Sequence, residues 1–260
     1  MHKVVYPYFN RDRILKLEML NNLRDFPRDM LDIYTADSSH GIVCGLEPTV
    51  DKNIVTFSKG IVKFEDKVYL FHDPIIVHYE ATEVEVSIKL HFLDEVENSD
   101  YLIRPVEILL EVGDAVQENQ IEIGRFKLKT GAYLRSDYQD LYDFTTEYNT
   151  INVVHVPYSG YRQPTLNHLI LKFFAQGVLD ARPVNHLDIN FSMMCIGSRL
   201  IERDLILAYI GYKLEEDIKQ LAGLSNIEIH AKLVKILDIV KKESDGLKKR
   251  QVGQRKIIMD

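Results

Sequence analysis

The chain has no tryptophan and only two cysteines, Cys44 and Cys195, far apart in sequence. Two thiols cannot build a disulfide scaffold, so stability must come from an apolar core, and a reducing compartment is the simplest expectation. Proline is sparse, with eight residues and none after Pro183. Glycine-rich phosphate loops are missing, because Gly41, Gly45 and Gly60 are spaced for neither a dinucleotide fingerprint nor a P-loop. Nucleophile-elbow, zincin and paired-cysteine motifs are absent as well. No apolar run approaches membrane-spanning length. The longest, Leu200 to Leu214, is interrupted by Glu202, Arg203, Asp204 and Lys213, so no membrane insertion is expected. The opening residues carry no signal-type apolar stretch. A cytoplasmic chain, or one incorporated into a virion or tail-like particle, is the expectation. The formal charge of −7 disfavours nucleic acid as a partner, since a phosphate backbone needs a basic surface.

What is present is an ordinary globular composition, 46% hydrophobic and 27% charged over 260 residues. The periodicity predicts an α+β chain with an N-terminal helical arm, an antiparallel β-sandwich and a C-terminal helical bundle. In residues 11–35, Ile14, Leu17, Leu20 and Leu23 recur every third position, and Pro27 is expected to break the helix before Met30, Leu31 and Ile33. From Gly41 the pattern turns to short strands: 42–46, 54–57, 60–64, 67–71, 106–112 and 121–128. Residues 83–92 alternate strictly, which predicts a half-buried strand. Residues 131–162 read as a tyrosine-rich connector between the two halves. After it, Pro164, Asn185, Ser198 and the Ser225–Glu228 capping box predict helix starts in a four-helix unit. The expected division is therefore an arm over 1–39, strands over 40–130, a connector over 131–162, helices over 163–242 and a basic flexible tail over 243–260.

Each candidate for chemistry has a plainer alternative. His40 with Cys44 supplies two ligands where a structural zinc site uses four, so a turn histidine and a buried strand cysteine are expected. Cys195 sits in an apolar run, nine residues from His186 and on a roughly opposite helix face, which suits a core thiol. Asp137, Asp140 and Asp143 could act as the paired carboxylates of a hydrolase, or form a solvated turn. Tyr133, Tyr138, Tyr142, Tyr148, Tyr158 and Tyr161 could offer a carbohydrate or peptide platform, or pack at half-buried positions. The segment Lys241 to Lys256 carries about +5 and could grip nucleic acid, or more plainly form a solvated helix end or a strap onto a neighbouring subunit. The helix over 199–214 is apolar nearly all round, so it is central to a core or buried by a partner.

One run goes beyond class. His40-Gly41-Ile42-Val43-Cys44-Gly45-Leu46 is followed by Ile54-Val55-Thr56-Phe57, Lys59-Gly60-Ile61-Val62 and the turn Phe64-Glu65-Asp66-Lys67. It resembles the start of the shell domain of TssK, the type VI secretion baseplate protein, and related modules of phage-tail baseplates. Residues 40–130 carry the resemblance. The family tryptophan before Gly-Leu is missing, and Glu65-Asp66-Lys67 replaces the usual Pro-Asp-Gly turn. The resemblance implies a β-sandwich mounted on helices, a homo-oligomer, other baseplate or tail proteins as partners, and no catalytic residues, cofactor or metal. The expectation is thus a structural adaptor of a contractile tail or injection baseplate, with Tyr138, Tyr142, Leu200, Ile206, Leu207 and Ile210 as interface candidates.

Overall fold

The computed structural model describes the backbone of residues 3–254 and side chains as far as residue 246. The fold is α+β. A long helix, α1 (Leu17–Tyr34), precedes eleven strands: β1 (Gly41–Gly45), β2 (Pro48–Asp51), β3 (Ile54–Phe57), β4 (Gly60–Phe64), β5 (Lys67–Phe71), β6 (Ile75–His78), β7 (Glu85–Phe92), β8 (Val96–Glu97), β9 (Leu102–Ile103), β10 (Val106–Val112) and β11 (Gln120–Lys127). Five helices follow: α2 (His168–Asp180), α3 (His186–Gly197), α4 (Arg203–Leu214), α5 (Ile218–Leu221) and α6 (Asn226–Gln254). The strands form three antiparallel sheets, ordered β1-β4-β5, β2-β3-β6 and β10-β7-β11, with β8–β9 as a separate pair.

Local chemistry explains why β1 and β4 lie so close. Gly45 is paired with Gly60 in the register. A Cβ on Gly45 would sit 2.0 Å from the Lys59 carbonyl oxygen, and Gly45 itself has φ +72°. A Cβ on Gly60 would sit 2.6 Å from the Cys44 carbonyl oxygen. Only glycine lets the two backbones meet and adopts that left-handed turn without penalty.

The alternating strand, β7, is central in its sheet and buried on both faces over Val86–Leu90, not half-buried. Its polar positions are tolerated because they are bonded. Ser87 Oγ donates to the Gly113 carbonyl at 2.9 Å, and Lys89 Nζ donates to Glu111 Oε2 at 2.6 Å and to the Ala115 carbonyl. That pairing holds the Glu111 carboxyl below its usual range. The alternation was a real strand signal, but the polar face is covered by the 113–115 turn instead of by water.

The connector works as mortar between sheets and helices. Arg125 bridges Asn152, Ile42 bridges Tyr158, and Tyr158 bridges Thr165. Leu141, Phe144, Ile151, Val153, Val154 and Val156 are buried in the same core as the strands. Tertiary bonds also move two helix starts. Thr165 pairs with Tyr158, so α2 begins at His168 with Asn167 as cap, not at Pro164. The Ile201 carbonyl accepts from Thr165 Oγ1 at 2.7 Å and Glu202 accepts from the Tyr161 amide at 2.8 Å, so 199–201 stays out of the helix and α4 begins at Arg203. The Asn185 cap and the Ser225–Glu228 box form as read. The backbone of α6 continues to Gln254, through much of the basic segment expected to be flexible; residues 255–260 lie outside the described residues.

Three histidines sit where this mortar meets the helices. Burial pulls down the pKa of His155 (with help from Arg125), of His168 (with help from Lys172) and of His230, whose ring bonds the Leu141 carbonyl. A base with a depressed folded pKa stays neutral in the folded chain while the unfolded chain takes up the proton. Stability is therefore fully present above the unfolded value of about 6.5 and falls as pH drops below it. The nearly inaccessible His230 alone would contribute a slope of up to about 1.4 kcal/mol per pH unit. We expect the Tm to hold from pH 7.5 to near 6.5 and to fall from there to pH 5.5. A flat Tm over that interval would contradict the burial of these rings.

Candidate interaction surface

The sequence-chosen residues fall into different environments. Ile206, Leu207 and Ile210 are buried in the chain's own core, where α4 packs against α6 and α5. Of the two readings of that helix, the structure takes the intrachain one, and these three side chains present no surface to a partner. Tyr138 is stacked on Phe144 at 4.0 Å and donates to the Ile151 carbonyl at 2.6 Å, which makes it a packing residue. Tyr142 is partly exposed and donates to Asp238 at 2.5 Å. Leu200 is partly exposed on the α3–α4 link, flanked in sequence by exposed Ile196 and Leu205.

The chemical alternatives are engaged structurally. Arg135 donates to both oxygens of Asp143, holding its carboxyl at about 2, the reverse of the raised pKa a general acid needs. Asp140 accepts from the amides of Tyr142 and Asp143 as the cap of a short turn. The tyrosines form no common platform. Tyr158 is buried, Tyr148 lies under the ammonium groups of Lys127 and Lys129, and only Tyr133 and Tyr161 are well exposed. Cys44 is exposed, contrary to expectation, because the bulge between Ile42 and Cys44 turns it outward. Cys195 is buried and its thiol is pushed up to about 12 by burial, so it resists ionising. Among the described residues, no three or more histidine, cysteine or carboxylate side chains gather as metal ligands, and no helix is long and apolar enough to cross a membrane.

The surface that stands out is the arm. Helix α1 runs unbroken through Pro27, so the expected break does not occur, and none of its residues is buried. It meets the body at its C-terminal end, near β5. There the buried Lys63 Nζ donates to the carbonyls of Thr35 and Ala36, the latter at 3.2 Å, which places a cation on the free carbonyls of the helix end. Ser39 and Ser159 lock the following residues to the connector, Ser159 Oγ donating to the Ser39 carbonyl at 2.6 Å. Along the arm, Met19, Leu23, Phe26, Met30 and Ile33 are spaced four, three, four and three residues apart, the seam pattern of a coiled coil. Leu23, Phe26, Met30 and Ile33 are more than half exposed. Arg24, Asp25 and Arg28 pair with each other on the side away from the seam. The reading of 11–35 found a different stripe, Ile14, Leu17, Leu20 and Leu23, and stopped the helix at Pro27 before the seam was complete. The alternating four-three spacing was the signal that could have marked a helix awaiting a partner.

Comparison with known proteins adds two likenesses. No family model and no curated protein matches the chain. Among solved structures it is similar to a chain of the type VI secretion TssK-TssF-TssG baseplate subcomplex. That match has 11% identity and a TM-score of 0.41, and covers 91% of this chain and 100% of that one. It is also similar to the crystal structure of TssK, with 9% identity and a TM-score of 0.42 over 93% of this chain and 72% of that one. Both scores are low, and neither likeness assigns an activity or a partner.

Proposed function

We propose that the chain is a non-catalytic structural adaptor of a contractile tail or injection baseplate, held in its assembly by α1. One observation carries this reading. An 18-residue helix with proline in its interior and no buried side chain has almost nothing to sustain it. Pro27 divides it into stretches of ten and eight residues, each below the roughly 12–15 residues at which an isolated helix is still marginal, and an interior proline costs about 3 kcal/mol. A covering partner supplies what is missing, and the coiled-coil seam defines the face it would cover. The baseplate setting comes from the resemblance over residues 40–130, whose Gly45 and Gly60 have the steric role described above. Leu200 and Tyr142 remain candidates for a second contact.

The test uses a tagged full-length chain expressed from its own locus, followed by purification of sheath–tube particles. The wild-type chain is expected at the baseplate end of the particles. A Leu23→Asp/Met30→Asp chain should keep its melting temperature, because both positions are exposed, yet be depleted from particles at least about tenfold, as expected for losing an interface anchor. Equal incorporation of the variant, or absence of the wild-type chain from particles, contradicts the reading.

A further inference from the structure

Charge is distributed very unevenly over this surface. Residues 93–120 hold eight acids against Arg104 alone, a net −7 that equals the formal charge of the entire chain. They form the β8–β9 pair, β10 and the link into β11. Glu95 is engaged by Lys67 and Arg104, and Glu111 by Lys89. Asp94, Glu97, Asp100, Asp114 and Glu118 make no ion pair among the described residues. Between these acids, Val96, Tyr101, Leu102, Ile103, Leu110 and Val112 are exposed. Strand β10 is the edge of its sheet, paired only with β7, so its outer backbone groups meet no strand. An edge of this kind is a template for another chain.

The complement lies at the other end of the sequence. Residues 3–16 carry Lys3, Arg11, Arg13 and Lys16 against Asp12, a net +3, and none of these cations is in an ion pair among the described residues. The segment contains no helix or strand, and from Lys3 to Phe9 every residue but Pro7 is exposed. Val4, Val5, Tyr6, Tyr8 and Phe9 are strong strand formers. Pro7 lacks one donor, which an added edge strand tolerates. The seven residues 3–9 match the seven of β10 in length.

We propose that residues 3–9 of one copy add as a strand to the outer edge of β10 in a second copy, with Arg11, Arg13 and Lys16 set against the acidic rim. The inference rests on the assembly reading and names a partner for a second surface. A second copy is required because, within one chain, Tyr6 packs edge-to-face on Phe26 of α1, with 5.7 Å between the rings. That helix is rooted beside β4 and β5, in a different sheet from β10. The contact joins two unlike surfaces, so it propagates head to tail into a ring or a short row. Backbone pairing gives the strength, and the charges set which chain end is accepted.

A charge exchange in the full chain tests this by sedimentation equilibrium. The wild type should self-associate, and more weakly as salt rises from about 0.1 to 0.5 M, because the charges involved are exposed. An Arg11→Glu/Arg13→Glu chain and an Asp114→Lys/Glu118→Lys chain should each lose self-association by at least about tenfold while keeping the wild-type circular dichroism and Tm. Mixed in equal amounts, the two should associate again, since every basic end then finds an acidic partner. A wild type that stays monomeric at about 100 µM, either reversed chain associating like wild type, or a mixture that stays dissociated overturns the proposal. If self-association is absent while the tagged chain still enters particles, this inference fails and the adaptor reading stands. Loss of particle entry with self-association intact has the opposite meaning.

Discussion

Gly45→Ala should leave little or no folded protein at 37 °C. Its methyl group would lie 2.0 Å from the Lys59 carbonyl oxygen and 2.7 Å from the Gly60 Cα, both backbone atoms that cannot rotate away. The position also requires φ +72°. The left-handed conformation alone costs a non-glycine residue about 1–2 kcal/mol. Separating β1 from β4 to relieve the clash would open the packing around Ile42, Leu46 and Val62, all nearly inaccessible. A total on the order of 4 kcal/mol or more is expected, a large part of the roughly 5–15 kcal/mol that holds a domain together. Gly113→Ala is the control. It shares a positive φ, +95°, but its Cβ would meet nothing within 4 Å, so only the conformational cost of about 1–2 kcal/mol should appear. Equal melting temperatures for the two variants would contradict the close-approach account.

The second large effect is expected in the helical half. Asp188 is fully buried in α3 and accepts from Tyr209 Oη at 2.8 Å and from Lys213 Nζ at 2.9 Å, the lysine side chain being only 7% exposed. Asp188→Leu would leave an ammonium and a phenol buried without their acceptor. Breaking a buried pair by removing one partner costs about 3–5 kcal/mol. Removing both partners, as in Asp188→Leu/Lys213→Met, should restore much of the loss, because the uncompensated charge goes with the lysine. Urea unfolding of the two variants measures this. A double variant no more stable than Asp188→Leu would show that the cost lies in packing and not in the stranded charge.

Much of the fold was legible where one short-range rule governed. Strands β3, β4, β5 and β10 fall where alternation and turn residues put them, and the Ser225–Glu228 box opens α6 because both of its bonds are local. The reading failed where a distant residue decided the outcome. Strand β7 is buried on its polar side because Glu111 and the 113–115 turn satisfy Lys89 and Ser87. Helix α4 starts late because Thr165 and Tyr161 take the bonds of 201–202. Candidate interface residues suffered in the same way. Apolar character alone cannot separate Ile206, which the fold buries, from Leu23, which it leaves in solvent. The difference lies in whether a helix finds cover within its own chain, and among the described residues no side chain of α1 is buried.

The exchange rate of the α1 amides tests that point most directly. In the free chain, amides of residues 17–34 should exchange close to the unprotected rate, since beyond its Lys63 root the arm buries none of its side chains and carries only the exposed Tyr6–Phe26 contact. In purified particles they should be protected by at least about a hundredfold, the mark of a helix whose opening now costs a few kcal/mol. Strong protection in the free chain, or the same fast exchange in both states, would contradict an arm that is completed by its assembly.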